Sequence, residues 1–155
     1  AHRADEPKPS GPLGYDYYRA IHHQLFQDVF DWAGAIRTVR IAKGGNPFCF
    51  PENIDAQMQG LFRQLAADNY LRGLSAAAFA SKAAHYMAEL NAIHPFREGN
   101  GRAQSVFLNI LAERAGHPLN FERLDPPEML RAMIASFGDD EAPLADLILQ
   151  LMRAR

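Results

Sequence analysis

From Tyr15 onward, apolar residues return every three or four positions: Tyr18, Ile21, Leu25, Phe26, Val29 and Phe30, with His22 on the same face. That spacing predicts an amphipathic helix, with Gly34 as its stop. From Ile36 the period changes to two. Two short β-prone runs flank Lys43-Gly44-Gly45-Asn46-Pro47, a turn chemistry that predicts a hairpin. A lone hairpin is marginal in water, so this one must lean on a helical body. Pro51 suits a first helical turn, and Ile54, Met58, Leu61, Phe62 and Leu65 form a stripe that ends near Gly73. Ser75 is placed to cap the next helix, in which Phe79, Ala80, Ala83, Ala84, Met87 and Leu90 face inward. Residues 75–91 include seven alanines, so this helix can pack closely at the centre of the fold. His94-Pro95 ends it, because proline disfavours the helical region for its predecessor. Another helix follows Gly101 and stops at Gly116-His117-Pro118. Asp125-Pro126 opens a fifth that runs through Phe137, and Pro143 opens a last one. The pattern predicts an all-α bundle of about six helices with one β-hairpin, without internal repeats.

Residues 1–12 are polar and hold three prolines, so they read as a flexible lead-in to one domain over 13–155. The 155 residues suffice for one domain of ordinary size. Hydrophobic residues make up 48% and charged residues 22%, which allows a real core. A formal charge of −2 argues against a broad cationic field, and so against nucleic acid as the main partner. Cys49 is the single cysteine, which excludes an internal disulfide and a cysteine-rich zinc site. No apolar run approaches the ~18–20 residues that span a bilayer, so no membrane role is expected. The first residue is Ala rather than Met, which reads as a piece of something larger.

The chemistry concentrates in Asn91–Arg102. An imidazole (His94), a carboxylate (Glu98), two glycines, an amide (Asn100) and two guanidinium groups (Arg97, Arg102) lie within a few residues that join two helices. Glycine lets the backbone approach a ligand closely. The unpaired N–H groups of a helix start, at the positive end of the dipole, suit phosphate. Arg102 in that first turn opposes the dipole, which makes sense beside an anion. Glu98 is a hard oxygen donor for Mg²⁺ that bridges phosphates. His94 can titrate near neutral pH, so it can take a proton from an attacking hydroxyl. Asn100 can donate to a phosphoryl oxygen. A histidine before proline is often only a cap, and G-N-G is common in turns; it is the joint order at a helix junction that sets this segment apart.

His94-Pro-Phe-Arg-Glu-Gly-Asn-Gly-Arg102 resembles the Fic-domain signature H-P-F-x-[D/E]-G-N-G-R-x-x-R over nine consecutive residues. Val29-Phe30-Asp31-Trp32-Ala33-Gly34 followed by Ile36-Arg37-Thr38 resembles the family's approach to its flap. The resemblance spans about residues 15–120 and implies the Fic fold, with a protein adenylyltransferase activity that moves AMP from ATP to a Ser, Thr or Tyr hydroxyl of a target protein. It implies His94 as general base, Glu98 as Mg²⁺ ligand, Gly99, Asn100 and Gly101 as an anion hole, Arg102 on the β-phosphate and Phe96 as a buried anchor. Residues 38–48 would be the flap, with Thr38, Val39, Arg40, Ile41, Ala42, Lys43, Gly44, Gly45 and Asn46 docking an extended target segment by strand addition. Gly101-Arg102 fits the nucleotidyl-transferring branch better than the Doc kinases.

One position departs from the signature: Ser105 stands where it has its last arginine, associated with the γ-phosphate and with an inhibitory glutamate. Gln104 or Ser105 can offer that phosphate a neutral hydrogen bond instead. Transfer of another nucleotide monophosphate, removal of AMP on the same scaffold, and a weakened binding module therefore stay open as alternatives. The inhibitory pattern [S/T]-x-x-x-E-[G/N] does not occur; Ser136–Glu141 matches it only in part. The resemblance then implies inhibition by a separate antitoxin-like protein or by a further chain segment. It also implies a place in the bacterial cytoplasm, or in a host cell if the chain belongs to a delivered effector. Among the other residues, His22 reads as a packed core histidine, and His85 has no metal-ligand partners. Phe48 and Phe50 share a strand face toward the body, with Cys49 inert on the other. Arg37, Arg40 and Lys43 read as a solvated flap face.

Overall fold

The computed structural model describes residues 6–152. Among the described residues there are six α-helices, packed about an alanine-rich one: α1 (Tyr15–Phe26), α2 (Pro51–Ala67), α3 (Ala76–Ile93), α4 (Asn100–Arg114), α5 (Pro126–Phe137) and α6 (Ala142–Leu151). The one sheet among the described residues pairs β1 (Ala42–Lys43) with β2 (Asn46–Pro47), antiparallel, with Ala42 opposite Pro47 and Lys43 opposite Asn46. This is the expected all-α bundle of about six helices with its small hairpin.

α3 is central and packs against α2, α4, α5 and α6. Its alanines explain why. Ala80, Ala83, Ala84 and Ala88 are buried, and their small side chains let neighbouring helices approach on several sides. Ser75 caps it as expected, its hydroxyl accepting from the Ala78 N–H at 3.2 Å. The core continues through Tyr18, Phe96 and Phe107, all buried, with the Tyr18 ring stacked on Phe96 and edge-on to Phe107. α6 closes the far side, and Asn120 N–H donates to the Leu151 carbonyl at 2.7 Å.

Several expectations are corrected. The first helix stops at Phe26, well before Gly34, and Val29 is exposed rather than inward. The Val29 and Phe30 amides both turn back to the Phe26 carbonyl, and the Phe30 and Trp32 rings stack 4.3 Å apart. Gly34 returns against α1, where a Cβ would lie 3.0 Å from His23 Cβ and 3.1 Å from the Arg19 carbonyl. Its glycine is required by close approach and by a φ of +86°, not by a helix end. The stripe of the second helix ends at Ala67, short of Gly73, and a single 3₁₀ turn (Asn69–Leu71) follows. The β-prone runs form only two-residue strands.

Phe50 departs from its expected place as well. It is 41% exposed as the residue before α2, with the Arg40 guanidinium 4.4 Å from its ring centroid, while Phe48 is buried. Cys49, on the other face, packs partly against the core. Arg37 is buried at 4% exposure rather than solvated. Of the lead-in, residues 1–5 lie outside the described residues. Beyond them, the Pro7 carbonyl accepts from Gln24 Nε2 and the Gly11 carbonyl from Arg114 Nη1.

Candidate active site

α3 ends at His94, whose backbone sits in the left-handed region (φ 51°, ψ 63°) while its N–H closes the last helical turn on the Leu90 carbonyl. A non-glycine residue there is uncommon, and proline at 95 removes the option of continuing the helix. The chain then crosses to α4 in five residues. Asn100 holds that crossing together from inside. Its Oδ1 accepts from Phe96 N–H at 3.0 Å and its Nδ2 donates to the Phe96 carbonyl at 2.7 Å. Its side chain is therefore engaged by the loop, and the group it turns toward the helix start is its backbone N–H. Phe96 is fully buried, as anticipated for an anchor.

His22 is buried and does more than fill space. Its Nδ1 accepts from Gly34 N–H at 2.9 Å, which fixes the neutral tautomer, and its Nε2–H donates to the Glu98 carbonyl at 2.8 Å. The ring also stacks on Phe96 at 3.8 Å. One imidazole thus ties the Trp32–Gly34 corner to the loop. Burial holds its pKa below the usual range, consistent with the neutral form.

Gly99 precedes α4 with φ +83°, and a Cβ there would lie 2.4 Å from the Phe26 ring. Phe26 therefore packs directly under the loop, and the Arg102 guanidinium lies 5.3 Å from the same ring. The first N–H groups of α4 have no carbonyl a turn earlier to accept them.

These parts line one cleft of about 1150 Å³. His94, Glu98, Gly99, Asn100, Gly101, Arg102 and Ser105 all border it, as do Lys43, Gly44 and Asn46 of the flap. Thr38, Val39, Arg40, Ile41, Ala42 and Gly45 do not. Ser105 is half-buried one turn beyond Arg102, whereas Gln104 is buried and its Nε2 has no hydrogen-bond partner. The opposite wall comes from α5, where Met129, Leu130, Met133, Ile134 and Phe137 form an apolar surface. Leu130 and Ile134 are more than half exposed.

His94 lies against that wall through Phe48, whose ring stacks on the imidazole at 3.9 Å and meets Phe137 edge-on at 5.3 Å. Its Nδ1–H donates to the Asn91 carbonyl at 3.3 Å, which leaves Nε2 with a free lone pair. Burial, with Arg37 and Lys43 nearby, lowers its pKa to about 4, against the opposing pull of the Asn91 carbonyl. The free imidazole is therefore neutral at physiological pH.

No group of three or more His, Cys, Asp or Glu among the described residues is arranged for a metal ion. A single carboxylate beside a phosphate site still fits Mg²⁺, which keeps most of its waters and binds through one or two carboxylates plus substrate phosphates.

The sequence pattern did not single out His22 as a hydrogen-bonding residue, Arg37 as an interior one, or the α5 wall. A titratable group on an apolar helix face was the available signal for His22. For Arg37 and α5 the partners are distant in sequence.

The chain matches the Fic/DOC family over residues 12–112. It is 51% identical over 144 residues to the "Probable protein adenylyltransferase y4lH" of Sinorhizobium fredii, covering 92% of this chain and 75% of that protein. It is 41% identical to the protein adenylyltransferase VbhT of Bartonella schoenbuchensis, covering 90% of this chain but only 29% of that larger protein. Among solved structures, the N-terminal Fic domain of a Bep effector protein from Bartonella quintana, with bound ADP, superposes with a TM-score of 0.87 at 30% identity, over 99% of this chain and 81% of that one. BepC of Bartonella tribocorum, with bound AMPPNP, gives 0.83 at 29% identity, over 99% and 80%. By the family match, the identity to these relatives and the shared fold, the chain belongs to the Fic/DOC family.

Proposed function

We propose that residues 13–155 act as one catalytic domain, a protein adenylyltransferase that moves AMP from ATP to a hydroxyl of a target protein. One observation carries the reading: a neutral imidazole with a free Nε2 borders the same cleft as an open helix N-terminus, a carboxylate and Arg102.

The ATP triphosphate lies along the start of α4. The N–H groups of Gly99, Asn100 and Gly101 and the Arg102 guanidinium face its oxygens. Glu98 would hold Mg²⁺, which when bound would neutralise phosphate charge. The apolar α5 wall receives the nucleobase, and about 1150 Å³ is ample for a nucleotide. The target hydroxyl approaches beside the flap, whose short exposed strands pair with an extended segment through backbone hydrogen bonds. His94 Nε2 takes the hydroxyl proton as the oxygen bonds to the α-phosphorus. The bond from that phosphorus to the bridging oxygen breaks, and pyrophosphate leaves with the electron pair. Little covalent work falls to the protein, so positioning and charge carry the rate.

Ser105 offers a neutral hydroxyl beyond Arg102, so the hold on the terminal phosphate is weaker than a charged group would give. Ser136 lies in the last turn of α5, its hydroxyl donating to the Met133 carbonyl, and the rest of the partial inhibitory match runs through the link to α6, so it forms no inhibitory helix. Regulation then falls to a separate antitoxin-like protein or a further segment. No helix among the described residues is long and apolar enough to cross a membrane. The domain works in the bacterial cytoplasm, or in a host cell as part of a delivered effector. Mass spectrometry of lysate proteins incubated with the chain, ATP and Mg²⁺ tests the reading. AMP adducts on Ser, Thr or Tyr, absent with His94→Ala, are the expected result; phosphate adducts, or none, would refute it.

A further inference from the structure

Arg37 is 4% exposed, and its guanidinium makes four hydrogen bonds, all to backbone carbonyls. Nε donates to His94 O at 2.7 Å and Nη2 to Ile93 O at 3.1 Å. Nη1 donates to Val39 O at 2.7 Å and Nη2 also to Cys49 O at 2.6 Å. The first pair belongs to the end of α3, where carbonyls lack helical partners and the dipole is negative. Val39 lies on the chain entering the flap and Cys49 on the chain leaving it. Two main-chain bonds reinforce the link, Arg37 N–H to Pro95 O at 3.0 Å and Cys49 N–H to Ala92 O at 3.1 Å.

Burying a charge is costly unless its donors are satisfied, and here four of the five N–H groups are. The planar fork reaches carbonyls from three separate segments at once. A lysine ammonium, a point charge on a flexible stem, cannot.

We propose that Arg37 is a positioning residue that fixes the flap against the His94 imidazole, so that a target segment docked on the flap presents its hydroxyl to Nε2. This rests on the adenylyltransferase reading, in which flap and imidazole meet the same substrate. The nucleotide loop has its own supports in Asn100 and His22, so the two halves of the reaction are separable. A misplacement of about 1 Å between reacting groups costs on the order of 100-fold in rate.

The test compares the unmodified chain with Arg37→Lys. Three readouts are taken: AMPPNP affinity with Mg²⁺, transfer of label from α-labelled ATP to lysate proteins, and amide hydrogen exchange. Transfer is expected to fall about 100-fold while AMPPNP affinity changes by less than about threefold. Exchange should quicken over residues 38–50 and stay slow over 103–112. Unchanged transfer would overturn the proposal. So would a parallel loss of nucleotide affinity, because it would show collapse of the whole site.

If Arg37→Lys does not fold, hydrogen exchange of the unmodified chain decides. The Arg37, Phe48 and Cys49 amides must then open with one shared free energy, distinct from Ala103. Independent opening refutes the clamp. If the unmodified chain binds AMPPNP but transfers no label, the functional reading fails. Arg37 as a clamp then stands or falls on the exchange pattern alone.

Discussion

The nucleotide loop and the flap face each other across one cleft but are built in opposite ways. The loop is short, central and held by side chains packed beneath it: Asn100 within the loop, His22 and Phe26 from α1. The flap is two exposed two-residue strands joined through Gly44 and Gly45, both at positive φ, and tied to the body through Arg37. A site for an unvarying ligand can be fixed by a rigid core. Under the proposed adenylyl transfer the flap would admit a protein segment and needs an exposed strand edge, so its support lies at its base. The difference predicts that loop damage shows in nucleotide binding and stability, whereas flap damage shows in transfer.

The largest effect that separates them is at Gly99. Gly99→Ala places a Cβ into the Phe26 ring at a φ that L-residues rarely adopt. AMPPNP affinity measured by calorimetry should drop by about 100-fold, equivalent to about 2.7 kcal/mol. Gly45→Ala, at a similar φ with no atoms within 4 Å of the added Cβ, should leave that affinity unchanged.

Next is His22→Leu. It keeps the packing against Phe96 but strands the Gly34 N–H and the Glu98 carbonyl. Unfolding in denaturant should show a loss of about 2 kcal/mol, the cost of leaving one buried and one partly buried group unsatisfied.

A smaller, pH-dependent effect follows from the two depressed imidazoles. In the unfolded chain both titrate near 6.5, whereas folding holds His22 below that and His94 at about 4. The unfolded state binds more protons between those values, so folding stability is full above about pH 6.5 and falls as pH drops toward 4. Thermal melts across that range check it, and His94→Ala should flatten the slope in part. Bound nucleotide, an anion beside His94, should raise that imidazole's pKa, which histidine NMR titration with AMPPNP reads.

The smallest effect is at Cys49. The flap is tied through its carbonyl and N–H rather than its thiol, and burial pushes that thiol's pKa up. Cys49→Ser should change stability by less than about 0.5 kcal/mol and leave transfer intact.

Much of this was legible along the chain because it is local. Helix periodicity, the Ser75 cap, the His94-Pro95 stop and the loop residues all lie within a turn or two of what defines them. What stayed hidden depends on distant partners. Arg37 reads as a surface cation in a β-prone run, and only folding brings it under residues 93 and 94. Val29 fits the apolar stripe of the first helix, but Phe30–Trp32 stacking and the return of Gly34 end that helix at Phe26. Phe50 alternates correctly with Phe48, yet α2 begins there and turns it outward. The α5 wall reads as an ordinary amphipathic face, and nothing local to it announces a cleft.

In the proposed function, His94 and the 98–102 loop transfer AMP. The most direct measurement incubates the chain and Mg²⁺ with lysate and ATP labelled at the α- or the γ-phosphate. Label should enter protein from α-labelled ATP alone and fall by about 100-fold or more in His94→Ala, the scale of general base catalysis. Label entering from the γ-position, or α-label unaffected by His94→Ala, would contradict it.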